Sequence, residues 1–243
     1  MNCKLCGFDK PLVDAHVIPR SFHRIDPNGD GPPRLVTNEK GRHTQKVRKG
    51  VYDSTILCVE CEHRFSEWDD YGDDLFLKGW DQFEKMTDGT CHFGYHLPAY
   101  DYPKLKLFIL SVLWRASVSS HVMFSKIDLG GRETVLKQSI LQADPGSVDQ
   151  FGVLLQAFDS NEIGILNPHL ERFDGIRYCR LYLGHVIAFI KVDSRPLGET
   201  FRHLALTPYT PLRIAIKNFG TSPERAIMQK LVIADKERSR TSR

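Results

Sequence analysis

Apolar residues recur along this chain at two different periods, and the change of period marks its elements. Leu105, Phe108, Ile109, Val112, Leu113 and Ala116 repeat at helical spacing, with Pro103 placed for a first turn. This predicts a core helix. IRYCRLYL and VIAFIKV flank Gly184 and His185 and predict a β-hairpin, while ALTPYTPLRIAI predicts an extended segment broken by prolines. SPERAIMQKLVIADKERSRTSR reads as a capped terminal helix with a basic tail. Nearer the start the pattern is thinner. From Glu62 it turns helical: Phe65, Trp68, Gly72, Leu75 and Phe76 fall on one side, and Glu62, Asp69 and Asp73 form a polar stripe beside them.

Two stretches interrupt these rhythms. DPNGDGPP at 26–33 opens a polar run that extends to Val51 and predicts little regular structure, and TDGTCHFGYHLPAYDYP reads as a boundary. The expected organisation is therefore an N-terminal unit over 1–90 and a second unit, mixed in helix and strand, over 91–243. With 41% hydrophobic and 26% charged residues among 243, the chain can bury the core of one large or two small domains. No run of 18 or more apolar residues occurs, so no membrane association is expected, and the chain opens on Cys3 without a basic-then-apolar leader, which predicts a cytoplasmic protein. No repeat, P-loop or dinucleotide fingerprint is found.

The net charge of +3 decides little, but its distribution is uneven. Residues 1–50 hold ten Lys or Arg against five acids, and residues 51–90 hold three against eleven. A basic segment abuts an acidic one, which suits a phosphate-binding face beside a cation site and equally suits two solvated faces of opposite sign.

Six cysteines in a chain of this length do not make a secreted disulfide scaffold. Four of them stand in two C-x-x-C pairs, Cys3 with Cys6 and Cys58 with Cys61. A C-x-x-C turn lets both thiolates converge on one ion, so two such turns complete a closed tetrahedral Zn²⁺ site. A thioredoxin-like redox pair belongs at a strand-to-helix junction, which Cys3 cannot occupy, and buried thiols have no reason to recur twice at this spacing. Four thiolates leave no open position, so such a zinc is structural and any catalysis lies between the pairs. CHFGYH offers no fourth ligand and is read as a loop, Cys179 as core, and Trp114 and Arg115 as packing.

The order C-x-x-C, then AHVIPR, then a polar residue five positions before the first cysteine of the second C-x-x-C, resembles the zinc-containing HNH endonucleases over residues 3 to 75. The resemblance implies an α+β chain whose N-terminal zinc-knuckle, ββα-metal domain precedes a mixed α/β C-terminal domain. It implies metal-dependent hydrolysis of phosphodiester bonds. His16 matches the general base, Asp53 the middle polar position that orients it, and Glu62 the position after the second pair that ligates a catalytic divalent cation, Mg²⁺ or Mn²⁺. The chain departs from the family at Ala15, where a metal-ligating Asp or His is common. Asp14 is the expected substitute, ahead of Asp69, which lies about two helical turns beyond Glu62; His23 and His63 flank the site as further candidate ligands. Arg20, Arg24, Arg42, Lys46, Arg48 and Lys49 are expected to contact phosphates. The expected partner is nucleic acid, DNA ahead of RNA, with the C-terminal domain free to bind a protein partner. An effector of prokaryotic antiviral defence is one setting for such a protein. A decayed, zinc-stabilised nucleic-acid-binding or assembly protein is the alternative.

Overall fold

A two-residue strand opens the regular structure. In the computed structural model, which describes residues 1–23, 34–35, 45–46, 50–160, 166–209 and 211–241, β1 (Ala15–His16) is followed by a 3₁₀ turn at Arg20–His23, β2 (Arg34–Leu35), β3 (Gln45–Lys46) and β4 (Tyr52–Asp53). β1 pairs antiparallel with β4 and β2 with β3, as two separate two-stranded ladders. α1 (Val59–His63) begins directly after Cys58, and α2 (Ser66–Asp73) runs into a π turn at Asp74–Lys78. The helical stripe expected from Glu62 onward is therefore two consecutive short helices, with Phe65, Trp68, Gly72, Leu75 and Phe76 all buried.

β5 (Glu84–Asp88) and β6 (Cys91–Leu97) form a hairpin around Gly89, whose φ is +57°. This is the stretch that reads as a boundary in sequence. Asp-Gly is a hairpin-turn signal as much as a linker signal, and here the strands on either side of it pair Glu84 with His96 and Lys85 with Tyr95. The division at residue 90 thus falls inside a hairpin. CHFGYH is strand, not loop.

α3 (Tyr102–Val118) is the central element. Asp101 caps it by accepting the amide of Lys104 at 3.0 Å, and Pro103 occupies its first turn, where a missing N–H costs nothing. Every residue from Leu105 to Ala116 is buried. A helix covered all round is surrounded by protein. Phe22 stacks on Phe108 with ring centres 5.5 Å apart, and Phe65 meets Trp114 at 6.3 Å, so the N-terminal unit packs directly on α3. Lys106, also buried, gives its protons to the Ser147 carbonyl at 2.7 Å and to the Tyr102 hydroxyl at 3.2 Å; burial pulls its amine down to about 8.

The remainder is α4 (Arg132–Gln142), β7 (Val153–Phe158), β8 (His169–Phe173), β9 (Ile176–Leu183), β10 (Val186–Lys191), α5 (Glu199–Arg202), β11 (Leu212–Lys217) and α6 (Pro223–Thr241). The expected hairpin is β9–β10, with Val186 opposite Leu183. Seven strands form one sheet in the order β5-β6-β11-β7-β10-β9-β8, antiparallel except where β11 runs parallel to β7. One apolar cluster continues from Cys3 to Ile214 and joins the N-terminal unit, α3 and the sheet. The terminal helix docks at its start, where the buried Glu224 accepts from Arg180 Nη1 at 2.7 Å and from Lys217 Nζ at 3.0 Å. Among the described residues no helix is long and apolar enough to cross a membrane.

Candidate functional site

The two cysteine turns are laid side by side by backbone bonds. Cys3 donates its amide to Phe8 O, Gly7 returns a bond to Cys3 O at 2.8 Å, and Lys4 N reaches Ile56 O at 2.8 Å across 52 residues. Gly7 sits at φ +80°, where a side chain would be strained. Leu12 bridges to Cys58, and Val13 N bonds Leu57 O at 2.9 Å. The ligand sulfurs of Cys3, Cys6, Cys58 and Cys61 consequently lie within 4.8 Å of one another. Burial opposes ionisation of Cys3, yet the backbone amides of Cys6, Cys58 and Leu5 aimed at its sulfur bring it down to about 7. Burial pushes Cys61 up, and its sulfur neighbours add to that. Four sulfurs this close, one already inclined to thiolate, fit a metal ion such as zinc.

Between the pairs lie β1 and β4 with the β2–β3 ladder in the segment that joins them, and α1 starts inside the second pair. In β1 and β4 Ala15 faces Asp53 and His16 faces Tyr52. Residues directly opposite share a face. Ala15 and Asp53 point inward and are buried, whereas His16 is half-buried and Tyr52 exposed, their rings meeting edge-on at 6.5 Å. His16 and Asp53, read in sequence as base and orienting residue, therefore project to opposite faces of the hairpin. Asp53 is committed elsewhere: its carboxylate accepts from Thr55, Ser119 and Ser120. Burial works against ionisation of that carboxyl, but those donors outweigh it and hold it well below the usual range.

Glu62 does reach the histidine strand. The His16 amide donates to Glu62 Oε1 at 3.3 Å, while Oε2 is buried without a hydrogen-bond partner among the described residues. Burial pushes this carboxyl up, and Arg115 and His16 oppose the shift. Arg115 is a residue sequence reasoning placed as packing. It comes from α3, is fully buried, and donates to the His16 carbonyl at 2.9 Å and to both oxygens of Asp69 at 2.8 and 2.6 Å. Burial raises Asp69 and the guanidinium pulls it back. Asp69, a candidate substitute ligand in sequence, is thus taken by Arg115. The signal available for Arg115 is a charge set directly after the largely apolar run LFILSVLW of α3, which asks for a buried partner.

The other expected residues are dispersed. Asp14 is exposed just before β1, and Arg20 and His63 are exposed. His23 is buried, accepting the Val51 amide on Nε2 at 3.4 Å; burial, with His16 nearby, lowers it to about 4. Its ring lies where a Cβ on Gly50 would be, 2.8 Å from Cδ2. Arg24, Arg42, Arg48 and Lys49 lie outside the described residues, as does the side chain of Lys46 in β3. No protein-family model matches the chain, and searches of curated proteins and of solved structures returned no match.

Proposed function

We propose that this chain is a metal-dependent, HNH-like endonuclease whose structural zinc sits in the Cys3, Cys6, Cys58, Cys61 knuckle. The observation that carries the reading is the Glu62 carboxylate, one oxygen on the His16 strand and the other buried with no hydrogen-bond partner among the described residues. A buried acceptor left unsatisfied costs about 1–3 kcal/mol, so such a group calls for a ligand. Glu62, with Asp14 before the strand, would hold Mg²⁺ or Mn²⁺, an ion that when bound stabilises charge on a phosphate and its leaving oxygen. His16, half-buried on the open face of β1, takes the proton from an attacking water. Arg20 and Arg24, just after the histidine strand, and the basic run containing Arg42, Lys46, Arg48 and Lys49 hold flanking phosphates of nucleic acid, DNA in preference to RNA.

The test is divalent-dependent cleavage of plasmid and single-stranded substrates by the purified protein beside His16→Ala and Glu62→Ala. His16→Ala is expected to lower the cleavage rate by about 10²-fold or more while zinc content and substrate affinity stay unchanged, because a general base acts on the water in the transition state. Glu62→Ala is expected to raise the Mg²⁺ concentration needed and to recover partly in excess metal. A wild-type protein that binds nucleic acid but cuts nothing with either cation would reverse the conclusion in favour of a zinc-stabilised binding module, the reading that Ala15 favours.

A further inference from the structure

A guanidinium carries five N–H donors, and in Arg115 all five are directed at acceptors. Nε donates to Ser111 O at 3.3 Å; Nη1 to His16 O at 2.9 Å and Asp69 Oδ2 at 2.8 Å; Nη2 to Asp69 Oδ1 at 2.6 Å and Ser111 Oγ at 3.1 Å. The side chain is fully buried and its plane lies over Phe65, 4.8 Å from the ring centre. One residue of α3 thereby ties together the histidine strand and α2.

The saturation of this fork bears on Glu62. The Arg115 charge acts on the Glu62 carboxyl, yet no hydrogen of the guanidinium remains to bond it. A buried carboxylate beside an unsaturated arginine would be captured in a bidentate pair. Here Asp69 takes that place. The charge that eases the burial of Glu62 is present, while Oε2 has no hydrogen-bond partner among the described residues.

We propose that Arg115, locked by Asp69, is the positioning residue of this site: it fixes the His16 strand from behind and leaves one Glu62 oxygen for a divalent cation. This rests on the endonuclease reading given above. The second part of the chain then supplies the buttress of the site built by the first.

The experiment is Mn²⁺ binding, followed by paramagnetic resonance on the full chain, together with zinc content, for wild type, Glu62→Gln, Arg115→Lys and Asp69→Asn. Lysine keeps the charge but cannot reproduce the fork. Asp69→Asn removes the carboxylate and frees the guanidinium to turn on Glu62. Both are expected to weaken Mn²⁺ at least tenfold with the zinc retained, as Glu62→Gln does. If both bind Mn²⁺ like wild type while Glu62→Gln does not, Arg115 is a packing clip and the proposal is overturned. Asp69→Asn, which keeps its shape, decides the matter where Arg115→Lys fails to fold. Wild type without any Mn²⁺ site, and a Glu62→Gln variant identical to it, would remove the metal reading itself, and the two failures are thus told apart.

Discussion

Five hydrogen bonds converge on the Asp53 carboxylate: the amide and hydroxyl of Thr55 on one oxygen, the Ser119 hydroxyl and the amide and hydroxyl of Ser120 on the other. The first oxygen closes an Asx turn at the end of β4, and the second gathers the residues just beyond α3. Such donors favour the charged form, so the folded carboxyl ionises below its unfolded value of about 3.9. The sign follows. The stabilisation is fully present above that unfolded value and is lost as pH falls through and below it. Asp53→Asn should cost about 1–3 kcal/mol at pH 7, where buried donors lose a charged acceptor, and should flatten the acid side of the stability curve. Urea unfolding at pH 7 and below pH 4 measures both. A variant whose deficit stays constant across that range would show that the charge contributes nothing.

At the scale of elements, α2 and α3 approach closely because Gly72 has no side chain. A Cβ there would stand 2.5 Å from Phe108 Cε1, inside a ring that Phe22 and Phe76 already hold in place. Gly72→Ala should therefore lower stability by about 1–3 kcal/mol, read as a fall in melting temperature, despite alanine's better helix propensity. Gains from that substitution would mean the helices separate freely. What the sequence disclosed about the elements follows from length. α3 and the β9–β10 hairpin were legible because 17 and 14 residues carry enough period to be read. β1 and β4 are two residues each, too short for any period, and only the family resemblance implied a hairpin there. Spacing also identified the four clustered sulfurs; Glu62 is singled out by the family resemblance, and its bond to the His16 amide is a finding of the structure. Spacing could not show Arg115, whose acceptors lie 46 and 99 residues away, nor that Asp53 turns its back on His16.

Over the whole molecule the abutting basic and acidic segments acquire a meaning that neither reading of their charge contained. Several acids of 51–90 are answered from α3: Glu67 by Lys104 at 2.8 Å, Asp69 by Arg115, Asp53 by the serines that follow the helix. Lys4 of the cysteine turn likewise donates to Val118 O, the last carbonyl of α3. The N-terminal unit is thus half of an interface. A fragment ending at residue 90 should bind zinc yet fail to give a dispersed amide spectrum, because Phe22, Phe65 and Phe76 would lose the helix that covers them. A well-folded 1–90 fragment would contradict the continuous core. The same dependence orders events on the ribosome. Both cysteine pairs are translated well before Arg115, so a nascent chain can take up a metal ion such as zinc while the histidine strand still lacks its backing. A message broken ahead of the codon for Arg115 yields a product that keeps the cysteine knuckle but lacks the guanidinium that ties the His16 strand to α2.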